Sequence, residues 1–139
     1  MEVVRIQTQR YATTLIAICV IMVACGCQSD VTKNPTRWTD FAVGRVYELE
    51  KPVFILAGGL MTWRGQEPLD SEGKLIPGTK LLIKQAVVFR SPEIGTYTQV
   101  YAEVLDGEKK GRTVSVTHIS EWLQSGYTKR DPEMLKLVE

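Results

Sequence analysis

The chain has 139 residues, with 17 Lys and Arg against 16 Asp and Glu, 44% hydrophobic residues and 24% charged ones. Once a leader of about 25 residues is set aside, the remainder suffices for one domain, and the composition excludes a disordered chain or one with several membrane spans. Loss of residues 1–24 removes Arg5, Arg10 and Glu2 and leaves 15 basic against 15 acidic residues, which excludes a net electrostatic footprint for nucleic acid or anionic lipid.

The N-terminus opens with a basic segment carrying Arg5 and Arg10 and continues as an uncharged apolar run from Tyr11 to Ala24. This is the layout of a cleaved signal peptide. The run ends in small and polar residues from Cys25 to Ser29 and lacks a basic stop-transfer flank, so a permanent span is disfavoured. The junction Met22-Val23-Ala24-Cys25 resembles the lipobox of bacterial lipoprotein precursors, a hydrophobic residue and two small ones before a cysteine. The resemblance implies that the cysteine thiol takes a diacylglyceryl group and that cleavage just before it makes it the mature N-terminus. Cys25 is the expected lipidation site because more hydrophobic residues precede it. Cys27, preceded by Ala24-Cys25-Gly26, is the alternative. Cys19 would leave with the leader, and no cysteine follows residue 27, so a disulfide within the domain is excluded. Cys25 and Cys27 also lack the further Cys or His ligands that a zinc site requires.

The expected organisation is therefore a signal peptide over 1–24, a lipidated cysteine and polar tether over 25–42, and one domain over 43–139. The expected location is the bacterial cell envelope, lipid-anchored to a membrane with the domain outside the cytoplasm. Gln28 to Asp40 reads as the spacer, being polar with Asn34-Pro35 in its middle.

Beyond it, Arg45–Glu50 alternates and Pro52–Ala57 is continuously apolar, which predicts two strands or one bent strand. Seven Gly and Pro residues between Gly58 and Gly78 predict a long excursion with a small hairpin near Asp70–Gly73. Lys80–Arg90, dense in branched and aromatic residues, predicts a buried strand. Thr96–Leu105 and Arg112–His118 both alternate across Asp106-Gly107…Gly111, the clearest hairpin. Ile119–Gly126 has room for one helical turn ended by Gly126, and Met134–Glu139 predicts a closing strand.

A mostly β domain of five to six short strands plus one helical turn, with a long early loop and a late tight hairpin, resembles the Src-homology-3-like (SH3-like) barrels. The resemblance is one of layout over about residues 43–139 and implies a ligand groove between Leu60–Gly73 and Asp106–Gly111.

Chemical candidates are few. His118, the single histidine, ends a predicted strand and reads as exposed or capping. The carboxylates show no spacing that singles out an acid/base pair, and Asp106-Gly107 matches neither a phosphate loop nor a calcium loop. Trp63 and Arg64 stand together in the glycine-rich loop and form the candidate recognition pair, the alternative being that Trp63 folds back over the open end of the barrel as a lid for the core. Trp122 is expected to plug the core, and Tyr47, Tyr97 and Tyr101 to be half-buried sheet residues. The sequence thus predicts a non-catalytic binding or assembly module, without metal or cofactor, for a protein segment or cell-wall polymer. A small envelope hydrolase with paired carboxylates and a purely structural subunit of an envelope complex are the alternatives.

Overall fold

A computed structural model describes residues 27–62 and 66–138; the expected signal helix, Cys25 and the Trp63–Arg64 pair lie outside them. The described residues are mostly β. In chain order the strands are β1 (Cys27–Asp30), β2 (Val46–Leu49), β3 (Val53–Ile55), β4 (Met61–Thr62) and β5 (Gly73–Leu75). They continue with β6 (Lys80–Ser91), β7 (Gly95–Val104), β8 (Thr113–Ser115), β9 (Glu121–Trp122), β10 (Thr128–Lys129) and β11 (Leu135–Leu137).

The long antiparallel hairpin β6–β7 is the backbone of the fold. On β7 every second residue, Thr98, Val100, Ala102 and Val104, is buried, as period-two alternation requires. On β6 the buried positions Leu81 and Ile83 give way to Ala86 and Val88, a change of phase. A β-bulge between Ile83 and Gln85 supplies the extra residue and keeps both halves facing one core. β2 pairs with the start of β6 and β1 with its end, β8 lies beyond β7, and β11 lies beyond β2. A second sheet runs β4–β3–β5, and a third is the short pair β9–β10. Single bridges, Leu60 to Ser115 and Thr39 to Thr128, link these pieces, and the sheets do not close on one another.

One apolar core spans the sheets, with Phe41, Leu49, Ile55, Met61, Leu81, Ile83, Ile119, Met134 and Leu135 essentially inaccessible. Each such side chain contributes roughly 1.5–3 kcal/mol by leaving water. Tyr47, expected half-buried, is buried: its hydroxyl accepts a hydrogen bond from the Ala42 N–H at 2.9 Å, and its ring meets Phe41 edge-on at 5.2 Å. Tyr97 and Tyr101 are half-buried on the opposite face of β7.

Four buried threonines join the pieces through hydroxyls. Thr39 Oγ1 donates to the Thr128 carbonyl at 2.7 Å, and Thr128 Oγ1 to the Thr98 carbonyl at 2.8 Å. Thr98 Oγ1 donates to the Gly126 carbonyl at 2.7 Å, while Thr117 Oγ1 donates to the Thr98 carbonyl and accepts from the Val100 N–H. Every polar atom of this cluster is paired, as burial demands.

Three expectations are corrected here. The helical turn over 119–126 is instead a 3₁₀ turn at Thr117–Ile119, followed by the β9–β10 hairpin. Trp122 does not plug the core: it is 44% exposed, and Ile119 fills that place. Residues 28–40 are not a free spacer, since β1 is sewn to β6, Thr39 is buried and Phe41 joins the core.

Candidate binding cleft

β2 leaves the edge of β6 at Leu82, and β1 joins that edge at Val87. Between them lies the bulge, which turns Lys84 and Gln85 outward. The chain after β1 folds over this gap. The Val31 N–H donates to the Ala86 carbonyl at 2.9 Å, and the Ala86 N–H donates to Thr32 Oγ1 at 3.1 Å. A tight turn follows, in which Trp38 and Thr39 both donate their N–H groups to the Pro35 carbonyl, presenting Arg37 and Trp38 toward the same gap.

The result is an open cleft of about 1090 Å³ lined by Asp30, Lys33, Arg37, Trp38, Lys84 and Gln85 among others. Its charge is unbalanced: three cations line it against a single carboxylate. Asp30 accepts from the Thr32 N–H at 2.9 Å and from Gln85 Nε2 at 3.0 Å. Hydrogen bonding from Thr32, then from Gln85, holds its carboxyl below the usual carboxylate range, so it stays ionised and engaged in the wall. Lys84 is offset by Glu103 at 3.8 Å. The guanidinium groups of Arg37 and Arg90 both lie over the Trp38 ring, at 5.3 and 5.6 Å from its centroid. That ring holds two cations in place by its quadrupole. Such an arrangement can receive carboxylate or other anionic groups through charge-assisted hydrogen bonds. Among the described residues no group of three or more His, Cys, Asp or Glu is placed to hold a metal ion.

The two loops expected to flank a groove do meet. Arg112 pairs with Glu72, and the aliphatic chain of Lys109 lies where a Cβ on Gly73 would stand, 2.5 Å from its Cε. Asp106 has a turn role, accepting from the Lys80 N–H at 3.1 Å. Cys27 begins β1 with an exposed thiol.

A second surface runs across the outer face of the sheet. Phe89 stacks on Tyr97 at 5.3 Å, Tyr97 on Trp122 at 5.9 Å, and His118 tilts against Trp122 at 5.2 Å. The Trp122 indole N–H donates to the Thr117 carbonyl at 2.8 Å, which fixes the ring. Burial lowers the pKa of His118 and raises that of Tyr101, the latter helped by Tyr97.

The cleft lies in a stretch whose polar composition suggests a spacer. The one signal for it is Arg37-Trp38, a large ring beside a cation in a polar segment, the same pairing that draws attention to Trp63-Arg64. Among the described residues no helix is long and apolar enough to cross a membrane. The chain matches no protein-family model, no curated protein and no solved structure.

Proposed function

We propose that this protein is a lipid-anchored binding module of the bacterial envelope, tethered through Cys25 or alternatively Cys27, and that the Trp38 cleft takes an acidic protein segment. The observation that carries the ligand class is the pair of guanidinium groups held over Trp38, with Lys33 on the same cleft. A glycan would need a free ring face for stacking, and this ring is already covered by cations. A carboxylate-bearing segment needs the reverse, fixed cations and little else, because two or more charge-assisted hydrogen bonds supply both affinity and orientation. The reading of the anchor rests on the basic segment and apolar run over residues 1–24 and on the lipobox-like Met22–Cys25 that ends it.

The finer fold reading that accompanies this function is an SH3-like barrel. Supporting it are the long excursion after β3 that meets the Asp106–Gly111 connection, the 3₁₀ turn after β8, and the last strand returning to β2.

The test is titration of the domain with a polyglutamate peptide. Binding that weakens with added salt is expected, and Arg37→Ala should lower affinity about tenfold, the equivalent of one charge-assisted hydrogen bond of about 1.5 kcal/mol. Lys136→Ala, on β11 away from the cleft, should change nothing. Equal losses from Arg37→Ala and Lys136→Ala, or no binding at low salt, refute the cleft as the site.

A further inference from the structure

Three features converge on one end of the domain. The register pairs Cys27 with Arg90, Arg90 with Thr96 and Ser91 with Gly95, so β1 begins one residue short of the β6–β7 hairpin tip. Thr96 in turn packs against Gly126: a Cβ on Gly126 would lie 2.6 Å from the Thr96 methyl and 3.1 Å from its carbonyl oxygen. The turn that returns β9 to β10, closed by hydrogen bonds between Leu123 and Tyr127 and between Gly126 and Leu123, is therefore the immediate neighbour of the first tip. Each tip carries an uncovered aliphatic side chain, Ile94 at 68% exposure and Leu123 at 41%, with Trp122 at 44% beside the second.

We propose that these two tips form a membrane-docking edge, inserting Ile94 and Leu123 into the interfacial layer of the same phospholipid bilayer that holds the acylated N-terminus. The inference rests on the lipid-anchor reading. With Cys27 acylated there is no spacer at all, and with Cys25 acylated two residues precede β1, a reach of at most about 7 Å. A domain held that closely cannot turn a distant face to the bilayer, so the edge around Cys27 must face it. The side chains at that edge suit the depth: aliphatic groups belong at the acyl boundary, and Trp is the residue enriched in the interfacial belt. Trp122 is also held rigidly, stacked on Tyr97 and bonded to Thr117. The Arg90 guanidinium is turned to the Trp38 ring and Ser29, so docking depends on apolar insertion and needs no anionic lipid.

The experiment uses mature protein isolated from membranes, carrying Trp38→Phe and Trp63→Phe so that Trp122 is the remaining fluorophore, reconstituted into phosphatidylcholine vesicles with brominated acyl chains. Mass spectrometry of the N-terminal peptide is run on the same preparation. An acylated N-terminus together with loss of most Trp122 emission is expected. Ile94→Asp combined with Leu123→Asp, both at exposed positions, should restore that emission while the acylated protein still floats with the vesicles. An acylated, vesicle-bound protein with unquenched Trp122 overturns the docking edge alone and leaves the tips for a protein partner. An unmodified N-terminus overturns the anchor and the docking edge together.

Discussion

The hydroxyl of Thr98, in the middle of β7, donates to the carbonyl of Gly126 at 2.7 Å, while the carbonyl of Thr98 accepts from both Thr117 and Thr128. One buried residue thus joins the main sheet to the 3₁₀ turn and the β9–β10 hairpin. Thr98→Val keeps the shape and removes the hydroxyl, leaving the Gly126 carbonyl without its partner. A loss of about 1–3 kcal/mol is expected, read as a lower urea midpoint with an unchanged slope.

Gly126 itself sits at φ +87°, as Gly111 does at +88°, but only Gly126 has a neighbour in the way. Alanine at either position incurs about 1–2 kcal/mol of left-handed backbone strain. Gly126→Ala should cost more, because its methyl would strike Thr96. Thr96→Ser removes the nearest methyl, so the double variant should recover part of the excess, and thermal melts of the four proteins would read the difference.

His118 is the one imidazole in the chain; it is largely exposed, and partial desolvation where its ring rests against Trp122 holds its pKa below the usual 6.5. The folded state therefore binds fewer protons than the unfolded state as the pH falls through this range. Stability that is fully present above pH 6.5 is lost as the pH drops toward the folded value. A proton NMR titration should place the imidazole midpoint below 6.5, and His118→Asn should flatten this part of the stability profile.

Asp30 tests the wall of the cleft in the same way. Gln85→Ala removes one of the hydrogen bonds that hold its carboxyl ionised, so the carboxyl should titrate at higher pH than in the parent. Carbon-detected NMR of the Asp30 carboxyl would show this, and an unchanged midpoint would mean that Thr32 alone sets it.

How far these features are legible in the sequence depends on where each strand hides its side chains. β7 buries every second residue, so the hairpin over 96–118 reads from its alternation, while the strand over 80–90 reads from its density of branched and aromatic residues, much of which is buried. β1 cannot be read that way, because all four of its residues are exposed and its pairing to β6 buries no apolar side chain of its own. The cleft inherits this obscurity, being built on the segment that follows β1. At Ile119–Gly126 the spacing of Ile119, Trp122 and Leu123 mimics one turn of helix ended by glycine. Only Ile119 is buried, however, and Gly126 serves a tight turn against Thr96. The excursion over Gly58–Thr79 is legible as irregular, but not the return of Gly73–Leu75 to pair with β3, since three residues carry too little pattern.

The bond between Thr39 and Thr128 spans 89 positions, and the final strand, β11, pairs with β2, the first strand beyond the Trp38 turn. The core consequently has no N-terminal half that could form ahead of the rest: Phe41, Met134 and Leu135 pack in the same cluster. Folding is a whole-chain event governed by distant pairings, and chains of that topology fold in milliseconds to seconds rather than microseconds. A growing polypeptide would complete this core only once β11 has been made.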